Sequence, residues 1–314
     1  MTENELIALL RSAATDPAAR GLDDDVAVLA LGETHLVLTH DMIVEGVHYL
    51  PTDPPADVAW KLLAANLSDL AAKGAEPVGA LLGYMLGEDG WDRAFAEGLT
   101  TALAAFGLSL LGGDTVAASA GMPRTLGLTA IGRSRRTPPS RAGARVGDLL
   151  WVTGSIGDAG AGLAVLRGEL EGESALIERY RNPRPRLEAG QRLAGFVTAM
   201  MDVSDGLLID ASRMAKTSGC AVAIELQSVP LSQAYLHARG DAREARLDAC
   251  TAGDDYELLF AASADSARRI LALAEEIGLP CSRIGAFGDG SGVTITDRSE
   301  PVALPQKLGF EHRA

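Results

Sequence analysis

Aspartates stand beside the ends of apolar, strand-like runs in five separate parts of this chain. These parts are the segments 23–25, 39–41, 112–115, 201–206 and 253–257. Each segment taken alone is compatible with a solvated acidic turn. Taken together, they predict carboxylates that converge and repel one another by about 4 kcal/mol per close pair at an effective dielectric near 20. Bound divalent cations remove that repulsion, so the pattern predicts Mg²⁺-assisted phosphoryl chemistry.

Side-chain spacing places further oxygen ligands beside these aspartates. Strand alternation puts Thr39 and Asp41 on one face of a strand and His40 on the other. Asn66 and Asp69 are three residues apart and share one face of a predicted helix. A carboxylate near the end of that helix opposes the helix dipole at a cost of about 0.3–1 kcal/mol, and a functional role would offset this cost.

Glycines occur in three of the acidic segments, 112–115, 201–206 and 253–257. The pair in segment 112–115 and Gly206 allow a phosphate or metal to approach the backbone closely. Ser204 or Asp202 could equally be an N-cap of the following helix. The chain has no G-x-x-x-x-G-K-[S/T] loop and no protein-kinase motif set, so the predicted chemistry does not belong to those classes.

The overall organisation is predicted to be α/β, with two domains. A length of 314 residues and an apolar content of 47% favour two cores. Strands and helices alternate on both sides of an arginine- and proline-rich segment at 133–145, which is predicted to connect the domains. This gives an N-terminal domain of 1–137 and a C-terminal α/β domain of 138–314, although the segment could be an ordinary surface loop.

Charge and cysteine content narrow the cellular context. A net charge of −14 argues against a nucleic-acid or anionic-membrane partner, since both call for a basic patch. The three cysteines are scattered, which favours a reducing compartment over a disulfide framework or zinc site. No signal-peptide pattern and no apolar run of about 20 residues occurs, so we predict a cytoplasmic protein.

The motifs, read in chain order, resemble those of thiamine-monophosphate kinase, in the superfamily of aminoimidazole ribonucleotide synthetase and selenophosphate synthetase. The resemblance lies in the segments 24–28, 39–48, 66–75, 112–115, 140–148, 152–154, 202–207 and 253–258. The Glu-Gly-Val-His sequence at 45–48 and the Asn-Leu-Ser-Asp-Leu-Ala-Ala sequence at 66–72 are the most specific to this kinase.

The resemblance implies direct transfer of phosphate from ATP to thiamine monophosphate, with several Mg²⁺ ions and no covalent nucleophile. The implied metal ligands are Asp25, Thr39, His40, Asp41, Asp69, Asp114, Asp202 and Asp205. The implied ATP contacts are Gly113, Asp114, Arg141 and Ser204. The implied substrate contacts are His48 and Asp254. It also implies a homodimer in which strands of the two N-terminal domains build a shared barrel.

The chain departs from the family pattern at three places. His40 stands where the family usually has threonine, and Lys73 stands where methionine is common. The tail 309–313 carries arginine where the family often has an aromatic residue that stacks on substrate, and Phe310 could take that role. Two alternatives stay open: a related ATP-dependent synthetase of the same superfamily, and a nucleotide-binding dimer without catalysis.

Overall fold

The computed structural model describes residues 1–117, 119 and 121–312 of the 314-residue chain. These residues form two β-sheets with helices packed on them. Within these residues, no helix has the length and apolar character needed to cross a membrane. The mixed α/β class predicted from the sequence is confirmed.

The first sheet belongs to the N-terminal half. Its strands are β1 (Ala27–Leu31), β2 (Thr34–Val44), β3 (Glu76–Leu86), β4 (Leu110–Ala117) and β5 (Thr125–Ser134), and the helices are α1 (Glu3–Leu10), α2 (Pro55–Ala72) and α3 (Asp89–Ala105). The strand order is β1-β2-β5-β3-β4, with β3 and β4 parallel and the other pairs antiparallel. Helices α2 and α3 cover one face of this sheet and form a core with it.

The second sheet belongs to the C-terminal half and has the order β12-β11-β8-β10-β6-β9-β7. Its strands are β6 (Leu149–Thr153), β7 (Ala199–Asp202), β8 (Ala221–Glu225), β9 (Leu258–Ala262), β10 (Cys281–Gly288), β11 (Gly292–Asp297) and β12 (Glu300–Val302). The helices are α4 (Asp158–Leu166), α5 (Ser174–Arg181), α6 (Leu187–Leu193), α7 (Leu207–Ser218), α8 (Gln233–Arg239), α9 (Arg243–Thr251) and α10 (Ala267–Ile277).

Helix α2 lies between the two sheets and contacts both. Its apolar side chains pack against β2 and β5, and its other side meets α6 and β7. Buried polar residues are therefore spread over the helix, among them Lys61, Ser68 and Asp69, and the C-cap residue Lys73 is buried as well. Buried polar groups need partners, and those of α2 find them in both halves of the chain.

The alternation of strands and helices predicted for both halves is confirmed. Strand β3 was not predicted, because Pro77 near its start is equally typical of a segment that ends a helix. Strand β4 begins at Leu110 and continues to Ala117, so the acidic segment 112–115 lies inside a strand and not at its end. In the second half, β10 and helices α5, α6, α8 and α9 were not predicted. The division at 137/138 stays a prediction.

One face of the first sheet is left uncovered. Its exposed apolar side chains come from four strands: Leu29, Leu31, Met42, Leu81 and Val116. Strand pairing places them on one side of the sheet. Leu81 pairs with Gly112 of β4 and with Thr129 of β5, and Thr129 pairs in turn with His40 of β2, so these positions share one face. An uncovered apolar face across a sheet is typical of a protein interface.

Candidate functional site

Three carboxylates from distant parts of the chain meet where α2 lies between the sheets. Asp25 precedes β1, Asp69 lies in the last turns of α2, and Asp202 ends β7. One oxygen from each of the three lies within 4.8 Å of the others. Asp69 and Asp202 are buried and Asp25 is half-buried. The structure thus brings both halves of the chain to one acidic centre.

Neighbouring polar groups hold these carboxylates in place. The Thr39 hydroxyl, on the inward face of β2, donates a hydrogen bond to Asp69. The Ser68 hydroxyl donates to Asp202 at 2.5 Å. The Asn66 side-chain oxygen accepts the backbone N–H of Asp41 at 3.1 Å and so joins α2 to the strand that carries Thr39.

The acidic centre is electrostatically unfavourable without cations. Burial, together with the charges of Asp25 and Asp205, raises the pKa of Asp41 to about 6. Burial and the neighbouring Asp25 raise the pKa of Asp202 to about 7. The pKa of Asp69 is raised well above its usual range by burial and by Asp41. These shifts follow because each added negative charge lacks solvent and has like-charged neighbours.

The donor set fits Mg²⁺. Its members are carboxylate and hydroxyl oxygens, the ligands that hard cations prefer. The Asp25 Oδ2 atom is buried and has no hydrogen-bond partner among the described residues. A buried carboxylate oxygen without a partner is unfavourable, and a bound cation would satisfy it.

Arginines border the acidic centre on its α7 side. Arg141 contacts the other oxygen of Asp25, and Arg213 contacts Asp205. Arg213 also donates to Asp210 at 2.9 Å. The second oxygen of Asp210 accepts the backbone N–H groups of Asp205 and of the next residue, each at 3.2 Å. Asp210 therefore shapes the turn that presents Asp205.

A second group of polar side chains lies beyond the acidic centre. The Lys61 ammonium group, buried in α2, donates to Asp254 Oδ2 at 2.8 Å and to the His48 carbonyl at 2.9 Å. The Tyr256 hydroxyl donates to the other Asp254 oxygen at 3.2 Å. Asp254 has a φ of 69°, a strained value for a residue with a side chain. Several contacts thus hold an unfavourable backbone conformation.

His48 is the imidazole of this second group. Its Nδ1 accepts the Val44 N–H at 3.0 Å, so the neutral ring carries its proton on Nε2. Burial, followed by the proximity of His312, lowers the pKa of His48. The His312 ring lies 5.3 Å from that of His48, and Phe310 meets His312 edge-on at 4.8 Å. The tail therefore places an imidazole, with Phe310 behind it, next to His48.

Two of the predicted metal ligands lie apart from the acidic centre. The side chains of His40 and Asp114 are on the uncovered face of the first sheet, opposite to Thr39. His40 hydrogen-bonds to Thr129 at 2.8 Å. Asp114 lies within the exposed strand β4, three strands away from β2. The fold itself also requires glycine at position 113, since an added Cβ would lie 1.9 Å from the Leu82 carbonyl oxygen.

Several residues at the site were not predicted as site residues from the sequence. They are Asp24, Lys61, Ser68, Asp210 and Arg213. Asp210 lies in the first turn of α7 and accepts the N–H of the N-cap residue Gly206, so the preference for acidic residues in a first helical turn could have indicated it. Arg213 follows Asp210 by three residues on the same helix, which is also a local signal. Lys61 and Ser68 carry no such signal, because their partners lie 193 and 134 positions away.

Family models match both halves of the chain. The AIR synthase related protein N-terminal domain matches residues 23–134, and the corresponding C-terminal domain matches residues 145–298. The thiamine-monophosphate kinase of Caulobacter vibrioides is 41% identical over 306 residues, which covers 95% of this chain and 86% of that protein.

Solved structures show the same arrangement over nearly the whole chain. AaThiL complexed with AMPPCP and TMP superposes with a TM-score of 0.84 at 29% identity, covering 99% of this chain and 97% of that one. The thiamine-monophosphate kinase of Stenotrophomonas maltophilia K279a gives a TM-score of 0.78 at 36% identity, covering 95% and 96%.

Proposed function

The chain belongs to the AIR synthase related family and, within it, to the thiamine-monophosphate kinases, and we propose on this premise that it phosphorylates thiamine monophosphate with ATP. In this reaction a terminal phosphate oxygen of thiamine monophosphate attacks the γ-phosphorus of ATP. The bond from that phosphorus to the β-phosphate oxygen breaks, so the products are thiamine diphosphate and ADP. The attacking phosphate is ionised near neutral pH, and no strong general base is needed.

The observation that carries this proposal is the meeting of Asp25, Asp69 and Asp202 within 4.8 Å. These residues, with Thr39 and Asp41, would hold Mg²⁺. When bound, Mg²⁺ would neutralise charge on the phosphates, which is the main requirement of phosphoryl transfer. An acidic centre of this kind has no evident structural purpose, because it destabilises the protein in the absence of cations.

The groups around the acidic centre suggest roles for the substrates. Arg141, Ser204 and the Gly113–Asp114 pair are proposed to contact ATP, with Asp205 as a further metal ligand. His48 and Asp254 are proposed to contact thiamine monophosphate. The position of Asp254 supports this assignment. Its backbone N–H donates to the carbonyl of Ser204, a proposed ATP contact, at 2.8 Å, so the two proposed binding regions are adjacent. The adjacent His312 is a candidate for the aromatic contact with the substrate.

A direct assay tests the proposed activity. Purified protein would be incubated with ATP, Mg²⁺ and thiamine monophosphate, and thiamine diphosphate would be measured by fluorescence after oxidation to thiochrome. We expect product only when all three are present, loss of activity in EDTA, and recovery when Mg²⁺ is added back. Undiminished turnover in excess chelator would refute the metal role, and ATP hydrolysis without thiamine diphosphate would refute the acceptor.

The uncovered sheet face supports a homodimer. A second copy placed on this face would bury Met42, Leu81 and Val116, which are 52%, 39% and 55% exposed. It would also cover Asp114, whose side chain lies on the same face of the sheet. The proposed assembly is a barrel built from both N-terminal sheets. The cytoplasmic location stays a prediction.

The dimer is tested by charge placed on that face. Met42→Glu puts a carboxylate where the second copy would pack, and sedimentation equilibrium should then give the monomer mass where wild type gives the dimer mass. Leu271→Glu is the matched control, because Leu271 is 49% exposed on α10 in the other half of the chain. A monomeric wild type at micromolar concentration would exclude the proposed dimer.

A further inference from the structure

Lys73 is a fully buried cation beside the acidic centre, and the proposed reaction assigns it no role. It follows the last residue of α2, and its side chain is 0% exposed. Lysine is rarely buried to this extent unless it is paired. Its Nζ lies 2.6 Å from Asp24 Oδ1 and 3.2 Å from the Met200 carbonyl. The ammonium group thus connects the segment before β1 with β7.

The ion pair of Lys73 with Asp24 makes two adjacent carboxylates differ in their bonding. Both oxygens of Asp24 are occupied, because Oδ2 accepts from Arg20 at 2.6 Å and from the Ser140 hydroxyl at 3.1 Å while Oδ1 accepts from Lys73. Asp25 is the next residue, and its buried Oδ2 atom has no partner among the described residues. One carboxylate is therefore saturated by protein cations, and its neighbour still offers an oxygen.

We propose that Lys73 sets the charge of the metal site: it retains Asp24 as its own counter-ion, leaves Asp25 to face the metal, and lowers the affinity of the empty site for divalent ions. Lys73 contacts Asp24, the residue before Asp25, and the carbonyl of Met200, two residues before Asp202. Its charge therefore lies near both Asp25 and Asp202. A fixed positive charge there weakens the binding of divalent ions before ATP arrives. This inference rests on the proposed metal site and is independent of which phosphate acceptor is used.

The test measures binding of the metal alone. Mn²⁺ is titrated into nucleotide-free protein, and free Mn²⁺ is followed by electron paramagnetic resonance. Lys73→Met keeps a similar volume and removes one positive charge, while Asp24 keeps its second cation, Arg20, at 2.6 Å. We expect about tenfold tighter Mn²⁺ binding than in wild type. The metal-free Tm should fall, because a buried ion pair is broken. Lys216→Met, at an exposed site on α7, should leave both values unchanged.

A variant that shifts Mn²⁺ affinity in the opposite direction distinguishes the effect of charge from an effect of packing. Asp24→Asn keeps Lys73 and leaves a surplus positive charge, so Mn²⁺ binding should weaken about tenfold. The double variant Asp24→Asn/Lys73→Met has a neutral pair and should return to the wild-type midpoint, and it stays informative if Lys73→Met alone does not fold. A wild-type midpoint in Asp24→Asn, or a shifted midpoint in the double variant, would overturn the role of Lys73. A wild type that binds no Mn²⁺ would overturn the metal site as well.

Discussion

The acidic centre and the His48–Asp254 group lie side by side, but they handle charge in opposite ways. In the acidic centre, burial and neighbouring carboxylates raise the pKa values of Asp41, Asp69 and Asp202, and bound cations would be needed to balance their charge. In the neighbouring group, the Lys61 ammonium group forms a salt bridge with the Asp254 carboxylate at 2.8 Å, so each charge has one partner of opposite sign. The first region is incomplete without ligands and the second is already complete, which is what positioning of a substrate requires.

Removal of one carboxylate from the acidic centre should have the largest effect. Asp69→Asn keeps the shape and can still accept the Thr39 hydrogen bond. If Asp69 holds Mg²⁺ at the transferring phosphate, turnover should fall at least about a hundredfold, or about 3 kcal/mol of transition-state stabilisation.

The stability of the same variant distinguishes a functional role from a structural one. Because the charge of Asp69 is already unfavourable in the metal-free protein, Asp69→Asn should leave the metal-free Tm unchanged or raise it. Turnover is measured under saturating Mg²⁺ and ATP, and the metal-free Tm is measured separately by calorimetry. A large decrease in Tm would show that Asp69 stabilises the fold instead.

A change in the neighbouring group should have a smaller and more selective effect. Lys61→Met removes the cation that holds Asp254 and the His48 carbonyl, so KM for thiamine monophosphate should rise about tenfold while KM for ATP stays constant. Lys216→Met serves as the exposed control. Equal increases in both KM values would mean that Lys61 supports the whole site rather than its substrate end.

The smallest expected effect is the pH dependence of metal-free stability. Carboxyl groups whose folded pKa lies above the unfolded value stabilise the fold below about pH 4, and this contribution is lost as pH rises through the folded pKa. Burial and nearby carboxylates raise the pKa of Asp41 to about 6 and those of Asp202 and Asp210 to about 7. The metal-free Tm should therefore fall between about pH 5 and pH 8.

Added Mg²⁺ provides the control for this measurement. It should flatten the pH profile, because bound cations favour the ionised carboxylates. A metal-free Tm that rises over the same interval would contradict the electrostatic contrast between the two regions. The Asp69→Asn variant should show a shallower profile than wild type, since one of the interacting charges is absent.

Local patterns predicted a good part of the fold and some of the site. Three-residue spacing placed Asn66 and Asp69 on one helix face, and alternation placed Thr39 and Asp41 on one strand face, because these relations depend only on backbone period. The same reasoning could not show that Asp114 lies on the far side of the sheet. That depends on how β4 pairs with β3, which involves residues about 30 positions apart.

The sequence alone determined the chemistry of this protein: carboxylates beside glycines and strand ends, in the order that the kinase family has. Only the tertiary structure decided which charges meet. Lys61 reaches Asp254 across 193 positions, and Lys73 reaches Asp24 across 49. Lys73 had no predicted consequence, yet it lies beside the acidic centre. Side-chain pairing over such distances follows from how α2 packs between two sheets, and no local period encodes that packing.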